Sequence, residues 1–347
     1  MKLRKLVTFA ATVTMATGAT SLLDTGSAFA STAASTAKKN TPSVKVVRTI
    51  SAGAPTPHFI GVDQRTNRLF VSHLAQGTVT VIDPQDGRLV HTIYLGGTVH
   101  TVFVDQATQT VYVTDIARGL VDVINAKTYA LKARINVGGH PHGLALSNSL
   151  HEVFVSNIGT NQIDVVSMKT NSVVAQINVG PNPWGISYDQ ANQMLYSANT
   201  GISPMGTVNP AGNSITAIDA KTNQVVKTIT VGANPWWALA DTQNKTVYAG
   251  LAGANMVAVI KSNMVVQDIP VGTSPHGLAF DSKTKTLFVN DSGSNEVTVI
   301  DTKDNSVIAN LPTGTQPQGV GVDKKTGYAY VANQGSGTIT VLKVQPK

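Results

Sequence analysis

All three tryptophans of this chain and six of its eight histidines fall in or beside segments that recur along the sequence. His58, His100, His142, Trp184, Trp236, His276 and Gln318 hold the same place in successive copies, at intervals of 42, 42, 42, 52, 40 and 42 residues. Trp237 follows Trp236 directly, while His140 and His73 belong to neighbouring loops of the same face. Three imidazoles with an open fourth position are a zinc or transition-metal arrangement, so His58, His100 and His142 form one candidate metal site. Indole faces offer stacking surface, and imidazole or carboxamide groups orient a ligand by hydrogen bonds. Three readings follow. The histidines satisfy loop carbonyls while the indoles merely pack; or the nine residues His58, His73, His100, His142, Trp184, Trp236, Trp237, His276 and Gln318 bind a small ligand or an envelope protein without reaction; or the histidine arc serves a metal-dependent lyase or hydrolase. Binding without catalysis, and with no cofactor, is the reading adopted.

Such residues meet only if the fold closes on itself. Each copy resembles Arg134-Ile-Asn-Val-Gly-Gly-His-Pro-His-Gly-Leu-Ala-Leu-Ser147, and the copies end at Asp63, Asp105, Ser147, Asp189, Asp241, Asp281 and Asp323. A period in the low forties filled with short β-type runs means a radial array of four-stranded units. The expected fold is therefore all-β, a seven-bladed β-propeller of four-stranded blades with strands A to D from the axis outward. The last copy lacks its fourth strand. Val44-Lys-Val-Val-Arg-Thr-Ile50 is expected to supply it and close the ring. Pro270, Pro312, Lys132, Arg134 and Lys227 mark outer edge strands. Leading Asp residues with a following Gly or Asn, as in Ile82-Asp-Pro-Gln-Asp-Gly-Arg88, suit C–D hairpins. The one large insertion, Thr200–Asn213, is too rich in Gly and Pro for a helix.

The ring residues begin the innermost strands, so they should surround one mouth of the central channel. A second, wider ring at the B–C corners comprises His73, Asp115, Asn157, Asn199, Asp291 and Asn333; short polar side chains there cap turns, with His73 beside Asp115 the position to inspect.

Residues 1–30 read as an export signal: Lys2, Arg4 and Lys5, an apolar stretch, then Ala28-Phe29-Ala30. Residues 31–43 read as a flexible leader and 44–347 as the single propeller domain, exported to a periplasm or the exterior, monomeric, with no membrane span after cleavage. There is no cysteine, which excludes disulfides and thiolate sites. Net charge is +7. The lysines and arginines fall mainly in A–B and C–D turns, interleaved with Asp and away from the indoles, which argues against nucleic acid.

Leu69-Phe-Val-Ser-His73, Val111-Tyr-Val-Thr-Asp115, Val153-Phe-Val-Ser-Asn157, Leu287-Phe-Val-Asn-Asp291 and Ala329-Tyr-Val-Ala-Asn333 resemble the YVTN repeat. That repeat marks the YncE-like and surface-layer-like family of exported β-propellers, and the resemblance covers about residues 44–347. It implies an extracytoplasmic binding protein, with single-stranded DNA binding in some members. The resemblance extends to seven-bladed rings that act as lactonases or a streptogramin lyase, or bind copper in nitrous-oxide reductase, which keeps the metal reading open. Blade 5 departs from the pattern, since Tyr248-Ala-Gly-Leu251 lacks the closing Asn.

Overall fold

Seven antiparallel four-stranded sheets make up this computed structural model, which describes residues 42–203 and 206–345. Their innermost strands are Pro57–Asp63, Val99–Asp105, Pro141–Ser147, Pro183–Asp189, Pro235–Asp241, Pro275–Asp281 and Pro317–Asp323, and each touches the next around a closed ring. The protein is a seven-bladed β-propeller. The export signal and nearly all of the leader lie outside the described residues. No helix among those described is long and apolar enough to cross a membrane.

Local sequence explains the layering. Runs such as Leu69-Phe-Val and Val111-Tyr-Val are aromatic and β-branched without strict polar alternation, which suits strands covered on both faces. Strand B of blade 1, Arg68–His73, is buried along almost its whole length because blades flank it on both sides. Outer strands have less cover, and Ser172–Asn178 alternates exposed residues with half-buried ones and the buried Ile177.

The ring closes as expected, over a slightly longer stretch. Ser43–Ser51 lies outermost in the last blade, antiparallel to Thr338–Gln345. Ile60, Val62 and Leu69 of blade 1 then pack against Tyr330, Ile339 and Val341 of blade 7, so the seam has an apolar core. The Asp that ends most copies has a local task. Asp63 accepts the Arg65 N–H at 2.9 Å and the Thr66 hydroxyl at 2.5 Å, folding the A–B turn, and Asp281 repeats this with Lys283 and Thr284. C–D hairpins follow the expected chemistry: Asp83 accepts from Gln85 N at 2.9 Å, and Gly87 takes φ +77°. In the insertion, Ile202 bridges to Val208, and Pro210–Gly212 forms a single 3-10 turn capped by Asn209. That turn is the one departure from a helix-free insertion, and Pro at its first position tolerates it.

Candidate functional site

A repeated backbone irregularity aims the ring residues. In every blade the pairing of strand A with strand B slips just after its first residue, between Pro57 and Ile60 in blade 1 and between Pro141 and Leu144 in blade 3. A bulge of this kind redirects the side chain it carries. A strand-B side chain holds it. The Ser72 hydroxyl accepts from Phe59 N at 3.0 Å and donates to the His100 carbonyl of the next blade. Thr114 accepts from Thr101 N at 3.0 Å and donates to the His142 carbonyl at 2.9 Å; Ser156 links Gly143 to the Trp184 carbonyl. In blade 6 the Asn290 amide donates to the Gln318 carbonyl at 2.9 Å. Blades 4, 5 and 7 carry Ala198, Gly250 and Ala332 at this place and lack the bridge.

The ring itself is a run of aromatic side chains that meet one another tilted or edge-on. Ring centroids lie 4.3 Å apart for His58–His100, 4.2 Å for His100–His142 and 4.0 Å for His142–Trp184. The circuit continues at 4.3 Å for Trp184–Trp236 and 4.6 Å for Trp236–His276. His276 and His58 lie 5.8 Å apart, and Gln318, the ring residue of the seventh blade, hydrogen-bonds Ser292 at 3.1 Å. The mouth that these residues are expected to surround is thus filled by them. The four histidines and Gln318 are buried, and only Trp184 and Trp236 keep partial exposure.

Burial sets the electrostatics. It lowers the His58 pKa to about 4 and that of His276 to about 3, and pushes His100 and His142 well below the usual histidine range, with the neighbouring imidazoles adding to the effect on the last three. All four are neutral at pH 7. His58 Nε2 meets His100 Nε2 at 2.8 Å, so one donates and the other accepts. Nδ1 of His58, His142 and His276, and Nε1 of Trp184, are buried without a hydrogen-bond partner. Among the described residues no group of three or more His, Cys, Asp or Glu side chains is arranged to hold a metal ion.

Trp237 is not part of the rim. It lies one layer deeper and meets Phe59 with centroids 4.9 Å apart. The other blades carry Thr101, Gly143, Gly185, Gly277 and Gly319 at this place, leaving room for two large rings. A Cβ on Gly185 would sit 2.6 Å from the Trp237 indole, and one on Gly319 2.8 Å from the Phe59 ring. Beyond this pair runs an axial channel of about 500 Å³, which contains none of the seven ring residues in its wall.

The second ring is structural. His73 is fully buried, with Nδ1 at 2.8 Å from the Pro55 carbonyl and Nε2 at 2.8 Å from the Thr80 hydroxyl, so it offers nothing to a ligand. Asp115 is not its partner; it pairs with Arg118, which also reaches Asp122 at 3.4 Å. Asn157 bonds Asp164 at 2.9 Å, Asn333 bonds Thr340 at 2.9 Å, and Asp291 bonds Thr298 at 2.6 Å. Each pair spans seven residues from the end of strand B to strand C. Blade 5 replaces it with Leu251 and Ala258, both buried in one apolar cluster. Asp291 has no arginine, and burial raises its pKa to about 7.

The hydroxyl bridges and the Phe59–Trp237 layer escaped sequence reasoning. The signal was present as Ser72, Thr114 and Ser156 recurring one residue before each corner. No protein-family model and no curated protein matches the chain. Among solved structures, a chain of Kuenenia stuttgartiensis hydrazine synthase is similar at a TM-score of 0.73 and 20% identity, over 86% of this chain and 98% of that one. That likeness supports the fold.

Proposed function

We propose that this protein is an exported, non-catalytic recognition propeller of the YVTN, YncE-like type, acting as a monomer, that engages a small ligand or an envelope protein through the Trp/His end of its axis. The observation that carries the reading is four buried ring nitrogens without partners beside two part-exposed indoles. Buried polar atoms left unpaired cost free energy, and such clusters in a native fold call for an explanation, of which a ligand is one. Trp184 and Trp236 make first contact by stacking, while His142 and His276 brace them from either side. Export rests on the basic start and the Ala28-Phe29-Ala30 cleavage pattern.

A metal-dependent lyase or hydrolase on the histidine arc is the alternative reading, and it requires an ion in place of the His58–His100 hydrogen bond. Single-stranded DNA is a lesser alternative, since Arg118, a loop cation of this face, is engaged by Asp115 and Asp122, and Arg134 also pairs with Asp122. Thermal-shift titration with adenosine, indole-3-acetate, maltotriose, Zn²⁺ and Cu²⁺ tests these readings. Stabilisation by an organic ligand, lost in Trp184→Ala and Trp236→Ala, supports recognition. Stoichiometric metal, lost on replacing His58, His100 and His142 by Ala, overturns it for the metal reading.

A further inference from the structure

A second candidate site lies on the axis at the end away from the histidines. The channel wall takes Ile60, Val102, Leu144, Ile186, Leu278 and Val320 from one strand-A position of six blades. Its volume of about 500 Å³ falls within the range of small-molecule pockets. Phe59 and Trp237 contribute to its inner end, so it is separate from the ring.

The other end has two unlike arcs. Across blades 7, 1 and 2 it is amide-rich. Gln64 donates to the Val322 carbonyl at 2.8 Å and Gln106 to the Val62 carbonyl at 2.8 Å, while the Gln64 backbone N–H donates to Gln106 Oε1 at 2.9 Å. Lys324 continues this arc through its backbone N–H, at 3.0 Å from Gln64 Oε1. Lys324 is exposed and is one of the residues that line the channel, and its ammonium has no partner among the described residues. The facing arc is aromatic. Tyr188 and Phe280 line it, and the Tyr188 hydroxyl is buried without a hydrogen-bond partner. Phe103 of blade 2 is 36% exposed within the same channel. An exposed phenyl and one free cation meet at a mainly apolar lumen.

We propose that the channel is a binding site, entered from the A–B turn face, for a small amphipathic carboxylate whose apolar body fills the lumen and whose head meets Lys324. An ammonium is a point charge that accepts a carboxylate without demanding planar geometry. The glutamines are already spent on strand carbonyls, so they shape the rim and leave the charge to Lys324.

The probe is decanoate, with decanol as its uncharged counterpart, followed by Trp237 fluorescence in a Trp184→Phe/Trp236→Phe variant that removes the ring indoles from the signal. Saturable decanoate binding is expected. Lys324→Gln should weaken it about fivefold, the scale of one part-exposed ion pair, and leave decanol binding unchanged. Ala279→Trp, which fills the lumen, should abolish both. Should that variant not fold, the bromine position of 10-bromodecanoate in crystals of the wild-type protein decides the matter. Absence of saturable binding, binding that survives Ala279→Trp, or bromine density at the His/Trp ring would overturn the proposal. Because the ring indoles are absent from the fluorescence assay, failure here leaves the ring reading intact, and the reverse also holds.

Discussion

At the level of single residues, the buried imidazoles govern the response to acid. A histidine whose folded pKa lies below its unfolded value of about 6.5 keeps its stabilising effect above that pH and loses it as pH falls toward the folded value. For His58 and His276 the window therefore runs from about pH 6.5 down to about 4 and about 3. Stability should fall through that window, by on the order of 3 kcal/mol for one such histidine. Urea titrations at pH 7 and pH 4.5 check this, and His58→Gln should flatten the dependence; an unchanged midpoint would refute it. Asp291 carries the opposite sign. Its raised pKa means a cost that is absent in acid and complete above about pH 7. Asp291→Asn, which copies the Asn of blades 3, 4 and 7, should stabilise by on the order of 2 kcal/mol at pH 8 and by nothing near pH 4. Gly185→Ala is a packing test: its Cβ meets indole carbons at 2.6 Å and the Trp236 carbonyl at 2.7 Å, so denaturation should show a loss of roughly 1–3 kcal/mol.

At the level of elements, the closing strand binds the two ends of the chain together. Without Ser43–Ser51 the strand Thr338–Gln345 becomes a bare edge and the blade 7 to blade 1 seam loses the Ile50 contact. A chain begun at Ala52 should melt well below one begun at Pro42, and equal melting temperatures would remove the closure argument. This strand was legible in the sequence because a seventh copy with three strands needs a fourth, and one β-type run stood unassigned at Val44–Ile50. The blade count was legible for a similar reason: period is a property of order along the chain. The filled axis was not. Whether His58 and Trp184 face water or each other depends on bulge geometry and on side chains brought from blades far apart in sequence. His73 illustrates the same limit, since its partners Pro55 and Thr80 lie on other strands and loops of its own blade.

Across the whole molecule, the two faces of the disc become different surfaces. One end of the axis carries Trp184 and Trp236 over buried histidines, the other the amide rim and Lys324, and Phe59 with Trp237 stands between them. Propeller architecture needs none of this asymmetry, because Gln318 and Gly277 serve the same strand positions in other blades. The separation is therefore the property on which both binding assignments depend.

Acrylamide quenching of three variants, each keeping one of the three tryptophans and replacing the others by Phe, measures it directly. Trp184 and Trp236 should each be quenched several-fold faster than Trp237. Equal quenching of all three, or Trp237 the fastest, would contradict a closed axis with its indoles on two levels.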